Sequence, residues 1–283
     1  MITKPCPLPR RRAVLGTLLA GAALPALAQV SRVPVDRPDD NPRWQALRRD
    51  MFGGRSVRSP ADDLIRLEAP TRADDGAVVP IAIRVQQPQS PERYVKRIVL
   101  VIDQNPSPAG AVFYFTPDSG RAEVETRVRI DDYTHVRAIA EMNDGSLHMA
   151  VRHVKASGGC SAPPGKDPQA ALATLGRMKM QVVGALADGQ PAMAQLMISH
   201  PNHSGMAMDQ LTRLFTPAHF VRRIDVTYAG RLVFAADVDF TISENPHFRF
   251  DFLPRGNDGE LRAVVVDTEG KTFVSTLPVR AAP

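Results

Sequence analysis

From about residue 78 onward, apolar and polar residues alternate along the chain. Ala122, Val124, Thr126, Val128 and Ile130 are separated by Glu123, Glu125, Arg127 and Arg129, the period of two that marks a half-buried strand with a charged outer face. Val95–Ile102, continuously apolar after Lys96-Arg97, predicts a core strand. Thr134–Met142 and Leu147–Lys155 flank Asn143-Asp144-Gly145, a hairpin signal. Turn residues at 105–108 and 116–120 isolate a strand over Ala111–Phe115. Further strands are predicted over Arg177–Val183, Met193–His200, Ile224–Tyr228, Leu232–Ile242, Phe248–Leu253, Leu261–Asp267 and Thr272–Leu277. Ala229-Gly230 and Glu269-Gly270 supply hairpin turns between them.

Before residue 61 the pattern is different. Residues 29–43 are polar and proline-rich, and Asn41-Pro42 followed by Trp44, Leu47 and Met51 predicts one short helix ended at Gly53-Gly54. Short strands with frequent turns, after one helical segment, predict an all-β protein of two antiparallel β-sandwich domains. The boundaries that follow are 1–28, 29–60 with the helix, a sandwich over 61–155, a linker over 156–171, and a second sandwich over 172–283. Phe220, Phe234, Phe240, Phe248, Phe250 and Phe252 are candidate core residues of the second sandwich.

Charge changes the picture only at the start. The chain carries 35 basic and 30 acidic residues. Residues 1–28 hold Lys4, Arg10, Arg11 and Arg12 and no acid, so the remainder has 31 basic against 30 acidic. A nearly neutral body gives no electrostatic reason to expect a nucleic-acid or anionic-membrane partner. Arg10–Arg12, the 15 residues Ala13–Leu27 and the small-x-small Ala26-Leu27-Ala28 predict an export signal cleaved before Gln29. The Arg11-Arg12 pair fits a twin-arginine signal, and a Sec signal is the alternative. Either route predicts a periplasmic protein, and no later stretch is long and apolar enough to predict a membrane span.

Cys6 leaves with the signal, so Cys160 is the single remaining cysteine. In an oxidising compartment a leftover thiol predicts an intermolecular bond or a free reactive group. Residues 156–169 show no apolar periodicity and are rich in Gly, Ser and Pro, which predicts an exposed linker. Ser157-Gly158-Gly159 before Cys160 and Ser161 after it predict a mobile arm, with the thiol in solvent. No base neighbours it within the linker, so the residues point to a covalent attachment site and not to a catalytic nucleophile.

At this point the sequence resembles a family. Residues 61–160 resemble SoxY, the thiol carrier subunit of periplasmic sulfur oxidation, through Phe115–Val124, Thr126–Arg129 and Gly158-Gly159-Cys160. Residues 172–283 resemble its partner SoxZ, through His200-Pro201, Pro217–Val221, Ser243–Pro246 and Asp267–Gly270. The fused order, together with 102–108 and 155–163, is similar to the SoxYZ-like carriers associated with quinoprotein dehydrogenases. The resemblance implies an immunoglobulin-like sandwich for each half and a pairing of the halves. It also implies a sulfur adduct on Cys160, no permanently bound cofactor and no catalytic cycle of its own. Implied partners are sulfur-oxidation enzymes, or a quinoprotein dehydrogenase or its cytochrome. In the two-subunit carrier the cysteine stands near a free C-terminus between glycines; here Ser161 and Ala162 follow it and the chain continues.

Two other functions have residues to support them. A non-carrier adaptor for such a dehydrogenase needs no thiol chemistry. A copper site could use His200, His203, Met206, Met208 and His219, since imidazole and thioether suit copper. Against it, the resemblance implies that His200-Pro201 and Pro217-Ala218-His219 are fold-determining loops of the SoxZ-like half and not metal ligands, which is the simpler reading. Asp131, Asp132, Asp237 and Asp239 read as strand faces and ends, since no loop supplies a calcium-binding pattern.

Overall fold

The computed structural model describes residues 36–58, 64–163, 168–208, 213–256 and 258–280. The export signal and Gln29 lie outside the described residues. A helix α1 (Pro42–Phe52) leads into β1 (Val57–Arg58), β2 (Ile65–Glu68), β3 (Val79–Val85), β4 (Val95–Ile102), β5 (Ala109–Tyr114), β6 (Val124–Val128), β7 (Thr134–Met142) and β8 (Leu147–Val154). A short helix α2 (Pro168–Ala173) precedes β9 (Met178–Val183), β10 (Ala192–Ile198), β11 (Val221–Tyr228), β12 (Arg231–Val238), β13 (His247–Phe252), β14 (Asp258–Asp267) and β15 (Thr272–Arg280).

The all-β sandwich expected from the alternation is present. Its two halves join edge to edge. One sheet runs β1-β8-β7-β4-β5-β12-β11-β14-β15 and the other β2-β3-β6-β13-β10-β9. The join in the first sheet is antiparallel, with Val112 opposite Asp237. In the second, Glu125 stands opposite Arg249 and Val124 opposite Phe250. A single apolar cluster therefore extends from Ile65 to Val279 through both halves. Aromatic rings from both sides meet at the join. Phe113 lies 6.2 Å from Phe234 and 6.4 Å from Phe248, and Phe234 stacks on Phe250 at 4.5 Å. Phe220 and Phe240 depart from the core expectation: they are half-buried and pack on each other.

The unbroken apolar run Ile98–Ile102 within β4 reflects cover on both faces. Ile98, Leu100 and Ile102 enter the main core, while Val99 and Val101 face a second cluster with Trp44 and Phe52 of α1. Helix α1 starts at Asn41, whose side chain accepts from the Arg43 N–H, with Pro42 at the first turn. It ends at Gly53, which takes the left-handed conformation, φ 58°. Arg137 of β7 is fully buried beneath it. Its Nε and Nη2 donate to the two oxygens of Asp103 at 2.8 Å each, and its guanidinium lies 4.4 Å from the Trp44 ring. Asn41 Nδ2 donates to the same carboxylate at 2.8 Å.

Candidate functional site

Cys160 is 1% exposed, and this overturns the expectation of a thiol in solvent on a mobile arm. Residues 156–163 form a strap laid against the end of β6. Gly158 N–H donates to the Asp131 carbonyl at 2.8 Å and Gly159 N–H to the Ile130 carbonyl at 3.0 Å. Ser204, from the loop between β10 and β11, donates its Oγ–H to the Cys160 carbonyl at 2.6 Å. Ser157, Gly158 and Ser161 remain exposed around a turn in which Gly158 has φ 72°. The physical reason for the burial is a close backbone approach. A Cβ on Gly159 would stand 2.0 Å from the Gly76 carbonyl oxygen, and one on Gly76 would stand 2.5 Å from that of Ser157. The glycine at 159 thus serves contact and not mobility.

Burial pushes the Cys160 thiol up to about 12, with Asp131 and Asp239 adding to the rise and Arg129 opposing it. In this arrangement the sulfur is protonated and unreactive. Cys160 nevertheless belongs to neither apolar cluster. Its charged surroundings adjoin a cleft of about 330 Å³ that both halves line, with Arg129, Ala162 and Pro163 from one side and His203, Ser204 and Glu244 from the other. A larger trough of about 650 Å³ crosses the outer face of the second sheet. Its acids Glu68 and Glu125 both pair with Arg84, so it offers no unanswered carboxylate there.

Two histidines of the copper expectation, His200 and His219, do meet, but around a carboxylate. His200 and His219 converge on Asp267, with His219 Nε2 at 2.8 Å from Asp267 Oδ2 and His200 Nε2 at 3.7 Å. His203 adds no side-chain ligand to this group; its carbonyl accepts the His219 N–H at 3.1 Å, and Met208 is 42% exposed. His200 Nδ1 accepts from the Asn202 N–H at 3.0 Å, which places the proton of the neutral ring on Nε2. A metal at Nε2 would have to displace that proton, so the arrangement fits a loop anchor better than a metal centre. Asp267 Oδ1 accepts from the N–H groups of Glu269 and Lys271, which completes the anchor. Among the four other acids, Asp237 accepts from Tyr114 and Arg223, a strand-face role.

Comparison with known proteins bears on both halves. Residues 48–160 match the family model of Sulfur oxidation protein SoxY, and residues 180–278 that of Sulphur oxidation protein SoxZ. The chain joins a SoxY-like domain to a SoxZ-like domain. No curated protein matches it. Among solved structures, the sulfur carrier protein SoxY from Chlorobium limicola f thiosulfatophilum is 25% identical, covers 40% of this chain and 91% of its own, and has a TM-score of 0.34. A superoxide reductase (neelaredoxin) from Ignicoccus hospitalis is 15% identical over 38% of this chain and 90% of its own, with a TM-score of 0.29. Fibronectin(III)-like modules of Clostridium thermocellum CbhA are 9% identical over 77% and 93%, with a TM-score of 0.23.

The SoxY-like match ends on Cys160 itself, and the SoxZ-like domain supplies the serine that holds its carbonyl. Sequence reasoning missed Ser204, Gly76 and the Ile130-Asp131 carbonyls, because each is far from Cys160 along the chain. The one available signal was Gly159, read for freedom when it marks close approach. The His200–Asp267 anchor predicts acid sensitivity. Burial, with His219 next, pushes His200 down to about 4, against an ordinary value near 6.5. The unfolded chain then binds the proton first. The stability is complete above about pH 6.5 and is lost as the pH falls towards 4, by about 3 kcal/mol at most. Urea melts at pH 7 and 4.5 should show this loss, and His200→Gln should flatten the difference.

Proposed function

We propose that the protein is a periplasmic carrier of sulfur intermediates, attached covalently at Cys160, with no catalytic cycle of its own. The observation that carries this reading is the SoxY-like match ending on Cys160, joined in one chain to a SoxZ-like domain. The structure then corresponds to a closed state. Three hydrogen bonds hold the strap, from Gly158, Gly159 and Ser204. At about 1 kcal/mol net each, opening costs about 3 kcal/mol, so roughly one molecule in a hundred is open. In the open state the thiol loses its burial and regains an ordinary acidity. Closing shields the sulfur, or what it carries, between encounters. Partner enzymes of sulfur oxidation, or a quinoprotein dehydrogenase or its cytochrome, would meet the open form. Among the described residues, no helix is long and apolar enough to cross a membrane.

The burial of Cys160 favours a second reading, a non-carrier adaptor in which the cysteine only fills space. Cys160→Ser separates the two. The carrier predicts loss of sulfur-oxidation activity in a reconstituted system, with the melting temperature within about 3 °C of the parent. Intact-mass measurement should find a sulfur adduct on the parent protein isolated from cells grown on reduced sulfur compounds. The adaptor predicts full activity of the serine variant and no adduct.

A further inference from the structure

The loop between β10 and β11 touches the strap through Ser204 and the histidine anchor through His200. Ser204 donates its Oγ–H to the Cys160 carbonyl at 2.6 Å. Asn202 lies between them in sequence, fully buried and held in the left-handed region at φ 46°. A residue other than glycine keeps that conformation only where its surroundings fix it. Three hydrogen bonds do so here. Asn202 Nδ2 donates to the Ile242 carbonyl at 3.0 Å, its Oδ1 accepts from the Val221 N–H at 2.9 Å, and its own N–H donates to His200 Nδ1 at 3.0 Å.

The third of these bonds is the one a proton reverses. Nδ1 accepts only while the ring is neutral, because a protonated ring carries N–H on both nitrogens. The charged ring would then meet the Asn202 N–H donor to donor across 3.0 Å. Two buried donors facing each other are costly, so Asn202 turns away and carries Ser204 with it. The groups around the ring do not offset this. The His219 ring lies 4.6 Å away, and both His219 and His203 disfavour charge on His200. Asp267 favours it, yet its Oδ2 stands 3.7 Å from His200 Nε2 and is already held by His219 Nε2 at 2.8 Å. Glu269 lies beyond, 3.6 Å from His219 Nδ1. Asn245, whose Oδ1 accepts the His200 N–H at 3.2 Å, is neutral. We propose that His200 is a proton-operated latch on the strap: a proton at Nδ1 breaks the bond from Asn202, withdraws Ser204 from the Cys160 carbonyl and exposes the thiol. This rests on the carrier reading and gives it a control, closed in neutral medium and open in acid. Burial holds the closed ring down at about 4, whereas the released ring titrates near 6.5. The open form therefore binds the proton first, so opening is unaffected above about pH 6.5 and grows as the pH falls towards 4.

The uncharged reagent 2,2′-dithiodipyridine tests this on the native full chain. The Cys160 thiolate attacks one of its sulfurs, a mixed disulfide forms, the reagent's S–S bond breaks, and thiopyridone leaves with the electron pair and takes up a proton. The labelling rate, divided by that of free cysteine at the same pH, should rise about tenfold between pH 7.5 and 5.5. His200→Gln offers the Asn202 N–H an amide oxygen that does not titrate, so its normalised rate should be slow and flat across this range. His200→Leu offers no acceptor, so its rate should be flat and about tenfold above the parent at pH 7.5. Amide exchange, corrected for intrinsic rates, separates a latch from general softening. At pH 5.5 the strap N–H groups of Gly158 and Gly159 should lose protection, while Ile98 and Leu100 of β4 keep theirs. The pH profile and exchange of the parent decide the matter even if His200→Leu fails to fold. Equal loss of protection in β4 overturns the latch, since the whole sandwich then opens and not the loop. A flat normalised rate on the parent, with the thiol reacting, overturns the latch and leaves the carrier intact. No reaction at either pH over hours overturns the carrier and this inference together.

Discussion

Replacing Gly159 by alanine is expected to throw the strap open and raise the labelling rate of Cys160 about a hundredfold. The new Cβ would lie 2.0 Å from the Gly76 carbonyl oxygen, 2.4 Å from its carbon and 2.7 Å from the Ile130 oxygen. All three are backbone atoms and cannot turn aside as a side-chain tip would. Overpacking of this kind costs on the order of 3 kcal/mol, close to what the three strap hydrogen bonds supply. Opened, the thiol should titrate near its ordinary value and no longer near 12. The natural control is Gly158→Ala. Nothing lies within 4 Å of its Cβ, so only the positive φ resists. That strain is about 1 kcal/mol, giving less than tenfold. The measurement is mass-resolved labelling in native buffer, with circular dichroism to show that the sheets persist. Parent-like labelling of a folded Gly159→Ala protein would mean that something other than the strap covers the sulfur.

The largest loss of stability is expected at Arg137. Arg137→Ala leaves the Asp103 carboxylate buried with only Asn41 as a side-chain partner among the described residues, and removes the cation from the Trp44 ring. Breaking a buried pair from one side costs about 3–5 kcal/mol, or about 10 °C in melting temperature for a chain of this size. Trp44 is the only tryptophan, so its emission reports directly on α1. A red shift should precede global unfolding as the helix lifts away. The double replacement Arg137→Met with Asp103→Leu should recover most of the loss, because two apolar side chains leave no orphaned charge.

The strands were legible because alternation records which face is wet. It worked for β6, whose Val124, Thr126 and Val128 are buried between half-buried charged neighbours. It said less about β7, where all nine residues are buried because α1 and the neighbouring strands cover the outer face. The strap was misread for a physical reason. A glycine-rich stretch without periodicity looks the same whether its backbone is free or pressed against another backbone. What decides between the two is Gly76 and the 130–131 carbonyls, none of them nearby in sequence. The histidines show the same limit. The expected copper set of His200, His203, Met206, Met208 and His219 contained one pair that folding does bring together, His200 with His219, but it lacked Asp267, which is distant along the chain.

Because both sheets pass without interruption from one half to the other, neither half owns a complete hydrophobic interior. Hydrogen-bonded ladders at two edges already zip the pieces together, so the peptide link between β8 and β9 adds little to the architecture beyond enforcing equal numbers of each. Melting should accordingly be all-or-none, and a destabilising change placed anywhere in the sandwich taxes the surroundings of the thiol as well.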